Sequence, residues 1–287
     1  MNHEGALIAF TLLGQLVAGS TILYAILHFT RSDEVSRFPA GFRIKTPELL
    51  LLILLLVAMA ISFLHLGSAR KAVHALNNPG SSWISREIFS LSLLSLSLIL
   101  LFLGRWLMPA RRGIHSVLFL ISLGSGASLI YVMIRLYMIP AVVSWNTWYT
   151  PSSFIFSSFI LGISAFIVYA ASIQWREYPL KLLLQMLFVL LLTEALISAG
   201  NQYLLDHLSL IHYNPFLLEN SHLNVTIIRI ALIVVVLFLL AFLQRRSTVH
   251  TEGSLKKILT GSVILLVLIE QIAGRWLFFA SFVKVGI

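Results

Sequence analysis

The sequence contains eight apolar runs, each long enough to cross a lipid bilayer as an α-helix. Such a helix needs about 20 predominantly apolar residues, and it satisfies its backbone polar groups internally. The runs therefore predict an all-α, polytopic integral membrane protein. Its eight transmembrane helices are predicted near residues 6–29, 46–66, 87–107, 114–138, 152–173, 179–201, 224–244 and 255–282.

Composition supports a membrane protein. Charged residues make up 11% of the chain and apolar residues 59%, whereas a soluble domain carries about a quarter charged residues. The chain therefore lacks the side chains needed to cover a water-facing surface. We expect one transmembrane domain over residues 1–287. We expect no separate signal peptide, since the first apolar run is too long for the core of one.

Lysine and arginine are distributed unevenly between the two sides of the predicted bundle. Thirteen lie on one side, at Arg31, Arg37, Arg43, Lys45, Arg105, Arg111, Arg112, Arg176, Lys181, Arg245, Arg246, Lys256 and Lys257. The other side has four, at Arg70, Lys71, Arg86 and Lys284. The positive-inside rule places the first side in the cytoplasm, so both termini are predicted outside. These loops explain the formal net charge of +9, and we expect no nucleic-acid partner.

The sequence has no cysteine. This excludes disulfides, cysteine-ligated iron–sulfur clusters and covalently attached c-type haem within this chain. A haem held by two histidines would need them at matching depth on neighbouring helices. His28, His65 and His115 all lie at predicted helix ends and form no such pair. We therefore expect neither haem nor a metal site in this chain.

Apart from those at the inner ends of the predicted spans, the ionisable residues of the spans lie in the outer half of the bilayer. They are His65, Arg86, Glu87, Arg135, Glu194, Arg229, Glu270 and Arg275. A charge at the centre of a span costs about 2.5–3.5 kcal/mol on insertion scales, so such residues usually have a function. A proton channel needs ionisable groups across the full thickness, and an inverted-repeat transporter needs them near the midplane. The pattern instead favours a site reached from the lipid and open to the outer surface.

Each of these residues also has a structural interpretation. One possibility is an ion-pair network between helices, formed by Arg135, Glu194, Arg229, Glu270 and Arg275. Glu48, Arg105 and Lys284 lie at helix ends, where long charged side chains extend to the membrane interface. His65 is an isolated histidine, and such a residue more often has a structural role than a functional one.

Several segments resemble one known family in order and spacing. The most specific is the block from Phe63 to Ile88, which contains Phe63-Leu-His65-Leu-Gly67-Ser-Ala-Arg70, Ala75-Leu-Asn77 and Ser85-Arg86-Glu87-Ile88. The opening Phe10-Thr-Leu-Leu-Gly14-Gln15-Leu-Val-Ala-Gly19, the stretch from Arg135-Leu-Tyr137 to Thr150-Pro151, and the closing Gly274-Arg275-Trp276 are similar too. The sequence resembles the membrane anchor subunit of dimethyl sulfoxide reductase-type molybdoenzymes.

The resemblance implies a multi-pass subunit of the bacterial inner membrane that takes part in anaerobic respiration. It implies two partners on the outer face, an iron–sulfur electron-transfer subunit and a molybdopterin catalytic subunit. The anchor binds and oxidises menaquinol near the outer face and passes electrons to the iron–sulfur subunit. The terminal reductase site, the iron–sulfur clusters and the molybdopterin would all belong to these partners.

The resemblance also implies site residues. His65 and Glu87 are the expected proton-transferring pair, and Arg70 completes the quinol site by motif position. Four more polar neighbours of the quinol are expected at Gln15, Arg135, Tyr137 and Arg275. The loop between the second and third helices would dock the iron–sulfur subunit through Arg70, Lys71, His74, Asn77 and Asn78.

Other functions remain open from the sequence. The anchor of a polysulfide-, thiosulfate- or tetrathionate-type reductase would oxidise quinol in the same way, and only the terminal electron acceptor of the partner would differ. A stand-alone transporter and a scaffold that binds a partner without quinone are the alternatives from other classes.

Overall fold

A computed structural model of the protein describes residues 3–36, 38–41, 43, 45–66, 80–173, 180–208, 220–246 and 254–281. Eight long helices account for most of them, and each overlaps one of the predicted apolar runs. A short helix, α2 (Ser32–Val35), follows the first. The long helices are α1 (His3–Thr30), α3 (Pro47–Leu66), α4 (Trp83–Leu107), α5 (Arg112–Tyr137), α6 (Tyr149–Ser172), α7 (Leu180–Leu208), α8 (Asn220–Arg246) and α9 (Ser254–Ala280).

Seven of these helices are long and apolar enough to cross a membrane, judged by length and composition over the described residues. The eighth long helix, α3, has a shorter apolar stretch in that description, Pro47–Ser62. The prediction of an all-helical, multi-span protein is therefore confirmed. The number of eight spans and the outward location of both termini stay predictions.

The protein forms two compact units. The first contains residues 1–136 and 161–174, and the second contains residues 137–160 and 175–287. Helix α6 contributes its first half to the second unit and its remainder to the first. In the first unit α1 packs against α3, and α3 against α4; in the second, α8 packs against both α7 and α9.

Close backbone contact holds α1 against α6 in the first unit. A Cβ atom added to Gly162 would lie 2.6 Å from the carbonyl carbon of Gly19 and 2.8 Å from the nitrogen of Ser20. Both neighbours are backbone atoms, which cannot rotate away as a flexible side chain can. Small residues let membrane helices approach in this way, so Gly162 sets the distance between the two helices.

We expect Gly162→Ala to destabilise the protein by about 1–3 kcal/mol, because the extra methyl group would force the two helices apart. Thermal unfolding in detergent measures this. Gly124→Ala in α5 is the matched control, since a Cβ there meets nothing within 4 Å. Equal unfolding temperatures for both variants would contradict the role assigned to Gly162.

Candidate functional site

Glu87 is the residue of the predicted quinol site that the structure describes most fully. It lies near the start of α4 and is only 7% exposed. Its Oε1 atom has no hydrogen-bond partner among the described residues. A buried polar atom without a partner is costly. Glu87 can therefore accept a hydrogen bond from a ligand without giving up an existing one through that oxygen.

Helices α3 and α4 run antiparallel, and two contacts fix their register. At one end Arg105 Nη1 lies 2.5 Å from Glu48 Oε1, and midway Ser95 Oγ lies 4.0 Å from Met59 Sδ. A helix rises about 1.5 Å per residue. Counting from the midway contact, the backbone of His65 lies about 9 Å along α3 and that of Glu87 about 12 Å along α4.

The predicted proton-transferring pair therefore lies at one end of one helix pair, within about 3 Å in height. This is a statement about the backbone of His65, since its side chain is outside the described part of the structure. The predicted docking residues are outside it altogether, namely Arg70, Lys71, His74, Asn77 and Asn78. Arg70 of the predicted quinol site is among them.

Two arginines lie against Trp83, one turn before Glu87. The guanidinium carbon of Arg86 is 4.2 Å from the centre of the Trp83 ring system, and that of Arg135 is 5.2 Å from it. Arg86 also donates a hydrogen bond to the Gly80 carbonyl at 2.6 Å. The structure therefore brings Arg135 to the end of α4 that carries Glu87. Both contacts are cation–π interactions of the kind that stabilise exposed arginines.

Gln15 lies in α1 of the first unit and is completely buried. One residue before it, a Cβ on Gly14 would lie 2.6 Å from the Met133 methyl group of α5. Helix α1 therefore packs closely on α5 at the residue before Gln15.

Tyr137 and Arg275 lie together in the second unit. The Tyr137 ring centre is 5.4 Å from that of Phe154 and 6.0 Å from that of Phe278. The Arg275 guanidinium carbon is 3.9 Å from the Phe154 centre and 5.5 Å from the Phe278 centre. Trp145 completes this aromatic cluster and donates a hydrogen bond from Nε1 to the Phe278 carbonyl at 2.8 Å.

The second unit also contains a buried ion cluster. Arg229 donates from Nε to Glu270 Oε1 at 2.8 Å and from Nη2 to Glu194 Oε1 at 3.2 Å. Gln271 Nε2 donates to the other carboxylate oxygens, Glu194 Oε2 at 2.9 Å and Glu270 Oε2 at 2.7 Å. All four residues are at most 5% exposed. The predicted network between helices is confirmed for Glu194, Arg229 and Glu270.

The remaining two members of that predicted network, Arg275 and Arg135, lie in different units of the protein. Arg275 lines the same small cavity as Glu194 and Arg229, with a volume of about 10 Å³, roughly that of one water molecule. Two arginines and two glutamates make this cluster formally neutral. Arg135 is in the first unit and contacts Trp83 instead.

A second buried ion pair differs from the expectation drawn from the sequence. Glu48 and Arg105 are predicted to extend to the membrane interface, but they are 1% and 7% exposed. Besides the ion pair, Glu48 Oε1 accepts a hydrogen bond from the Tyr24 hydroxyl at 2.7 Å. Arg105 Nη2 donates to the Phe38 carbonyl at 3.0 Å. The prediction is wrong for both residues, because they pair with each other and are buried, with Arg105 bonded to the end of α2 and to the segment that follows it.

A larger cavity, of about 450 Å³, lies next to this pair in the first unit. It is lined by the ends of α1 and α4 and the start of α5, and His28 and His115 both face it. Among the described residues no group of three or more histidines and acidic residues could hold a metal ion. The expectation of no haem stays a prediction.

Comparisons with known proteins agree with this architecture. The sequence profile of the family described as DMSO reductase anchor subunit (DmsC) matches residues 1–280. The protein is 28% identical over 297 residues to the YnfH subunit of an anaerobic dimethyl sulfoxide reductase of Escherichia coli (strain K12), covering 99% of this protein and 96% of the relative. It is 25% identical over 288 residues to the C subunit of the anaerobic dimethyl sulfoxide reductase of Haemophilus influenzae, with the same coverage.

The family match extends over nearly the whole sequence and takes in the block from Phe63 to Ile88. It agrees with the seven helices that are long and apolar enough to cross a membrane. This protein is a helical membrane protein and belongs to the dimethyl sulfoxide reductase anchor subunit family.

Proposed function

We propose that this protein is the menaquinol-oxidising anchor of an anaerobic respiratory reductase of the dimethyl sulfoxide reductase type. The observation that carries the proposal is Glu87, a buried carboxyl group with an oxygen that has no partner among the described residues. It lies level with the backbone of His65. Together they are proposed to form the polar end of one helix pair that a quinol reaches from the lipid.

Quinol oxidation releases two electrons and two protons, and the protein must accept both protons. His65 is proposed to take a proton from a quinol hydroxyl, since an imidazole exchanges protons near neutral pH. Glu87 is proposed to accept the hydrogen bond of that hydroxyl and to relay protons to the outer water. Gln15 and Arg135 are proposed as polar neighbours of the quinol, with Arg70. For Tyr137 and Arg275 the role stays a prediction from the resemblance.

The electrons are proposed to pass to an iron–sulfur subunit, and from it to a molybdopterin catalytic subunit. Both would lie on the outer face and dock through Arg70, Lys71, His74, Asn77 and Asn78. The absence of cysteine from the sequence supports placing the clusters on a partner. The anchor is proposed to be one domain of eight spans in the bacterial inner membrane. With both termini outside, protons are released on the side where the reductase consumes them, and the cycle is electroneutral.

Oxidation of a menaquinol analogue by membranes that hold the whole complex tests the proposal. We expect His65→Leu to lower this activity at least about ten-fold, at equal assembly. Reduction driven by a soluble dye, which bypasses the anchor, should be unchanged. Undiminished quinol oxidation would remove His65 from the mechanism and favour a scaffold that docks the partners without quinone.

A further inference from the structure

The 450 Å³ cavity of the first unit takes no part in quinol oxidation as proposed. It lies at the opposite end of α4 from Glu87. Its polar lining is basic or neutral, and consists of His28, Ser36, Arg105, Arg112, His115 and Ser116. The positive-inside rule places this end of the helices at the cytoplasmic leaflet.

We propose that this cavity binds the phosphate headgroup of an anionic phospholipid. Two cationic side chains line it, and they differ in availability. Arg105 is already paired with buried Glu48 at 2.5 Å. Arg112 pairs with Asp33, at 3.5 Å, and these two side chains are 80% and 77% exposed. An exposed pair of this kind is worth little, so Arg112 can turn toward a phosphate at small cost.

The two histidines add hydrogen-bonding capacity in fixed positions. The ring of His28 stacks on that of Phe119, with centres 4.1 Å apart, and its Nε2 lies 3.2 Å from Ser116 Oγ. Nε2 of His115 lies 3.2 Å from the Gly104 carbonyl oxygen. Both rings are thus oriented by the protein. His115 donates from Nε2 to a carbonyl, so Nδ1 of the neutral ring only accepts, whereas His28 can accept from Ser116 at Nε2 and donate from Nδ1.

The start of α5 forms part of the same wall, and Arg112, its first residue, lines the cavity together with His115 and Ser116. The Arg112 amide bonds to the Ala110 carbonyl at 3.2 Å, and the His115 amide bonds to the Arg111 carbonyl at 3.2 Å. The first turn of a helix carries the positive end of the helix dipole, which favours an anion near Arg112.

Exposed apolar side chains beside the cavity indicate a lipid rather than a free phosphate ion. Trp106, Leu107, Ile114 and Val117 are 45%, 62%, 39% and 57% exposed. They belong to α4 and α5, and they would contact the acyl chains of a lipid held by its headgroup. Basic pockets at helix ends on the cytoplasmic side bind anionic lipids in this manner.

Binding of phosphatidylglycerol to the purified full-length protein in detergent tests the proposal, with phosphatidylcholine of the same acyl chains as reference. Native mass spectrometry measures the occupancy of each lipid. We expect a preference for phosphatidylglycerol, and about a five-fold loss of its affinity in Arg112→Gln. Arg43→Gln is the matched control, since Arg43 is exposed, lies on the same side and does not line the cavity.

Because Arg112 is exposed, its replacement leaves the fold intact, and thermal unfolding checks this. Equal affinity for the two lipids, or an equal loss in Arg43→Gln, would overturn the proposal. A second experiment adds inorganic phosphate at millimolar concentration as a competitor of phosphatidylglycerol. If it displaced phosphatidylglycerol and bound as well without acyl chains, the lipid assignment would be wrong. If the lipid stayed bound, the assignment would hold. Quinol oxidation is a separate measurement, so either proposal can fail alone.

Discussion

Menaquinol-dependent turnover is expected to fall about 100-fold in Glu87→Gln, at the lower end of what proton-transferring groups contribute, while the fold is preserved. Glutamine has the shape of glutamate but cannot take up a proton. The native carboxyl group is buried, and one of its oxygens has no partner among the described residues. Replacing it by a neutral amide lowers the cost of burial. The unfolding temperature should therefore stay equal or rise while activity is lost.

The measurement is quinol-analogue oxidation by the assembled complex, with dye-driven reduction as the reference for intact partners. Ser92→Ala is the control on the same helix, because Ser92 is exposed and bonds only to the Ile88 carbonyl among the described residues. It should behave as wild type. If Glu87→Gln kept full activity, proton release would have to proceed from His65 directly to water.

Removal of the Arg229 side chain is expected to have the largest effect on stability. Arg229→Met would leave Glu194 and Glu270 buried without the cation that contacts both. Breaking a buried ion pair on one side costs about 3–5 kcal/mol, because the remaining charge is uncompensated. Here one cation serves two carboxylates, so the loss should fall at the upper end of that range.

Unfolding by increasing mole fractions of denaturing detergent measures this loss. The informative control is a double variant that combines Arg229→Met with Glu270→Gln. It keeps the buried cluster formally neutral, because Arg275 then balances Glu194, and neutral replacements of buried ion pairs are often tolerated. We expect it to recover most of the stability. A double variant as unstable as the single one would show that the arginine acts through packing rather than through charge.

The positions of the helices could be predicted from the sequence because a helix that crosses a lipid bilayer must be apolar over the thickness of the hydrocarbon core. A span needs about 20 apolar residues, and the predicted runs near 46–66 and 114–138 agree with α3 (Pro47–Leu66) and α5 (Arg112–Tyr137) to within two residues at each end. The ends of the helices are harder to predict, because a helix end that lies in water need not be apolar. Helix α8 begins at Asn220 and α7 continues to Leu208, beyond the predicted 224 and 201. Polar residues can extend a helix outside the membrane without any apolar pattern.

The pairing of charges was only half predictable. Glu194, Arg229 and Glu270 lie well inside apolar runs, so they had to find partners within the protein. Glu48 and Arg105 lie in terminal turns, where a charge can reach water as easily as a neighbour. Their burial depends on the end of α2 and the segment after it, where the Val35 and Phe38 carbonyls accept hydrogen bonds from Arg105 Nη2. No local pattern in the sequence predicts that residues 35–38 pack against Arg105.

The candidate site was predicted from a motif, and geometry supports one part of it. Helical pitch and the register of α3 against α4 bring the backbone of His65 and Glu87 to one height, which spacing along the sequence alone does not give. The buried state of Glu87 could not be foreseen either, because a glutamate at a span's end usually faces water. The location of Tyr137 and Arg275 in the aromatic cluster of the second unit depends on contacts between residues more than 100 positions apart.

The ion pair between Glu48 and Arg105 has a consequence for how the protein is made. Translation adds 56 residues between the two, so Glu48 leaves the ribosome long before its cation exists. A carboxylate alone in the bilayer is unfavourable by about 2.5–3.5 kcal/mol at its centre and less toward the surface. We therefore expect the start of α3 to stay near the lipid headgroups until α4 has been synthesised. Final packing of α1, α3 and α4 would then follow the synthesis of Arg105.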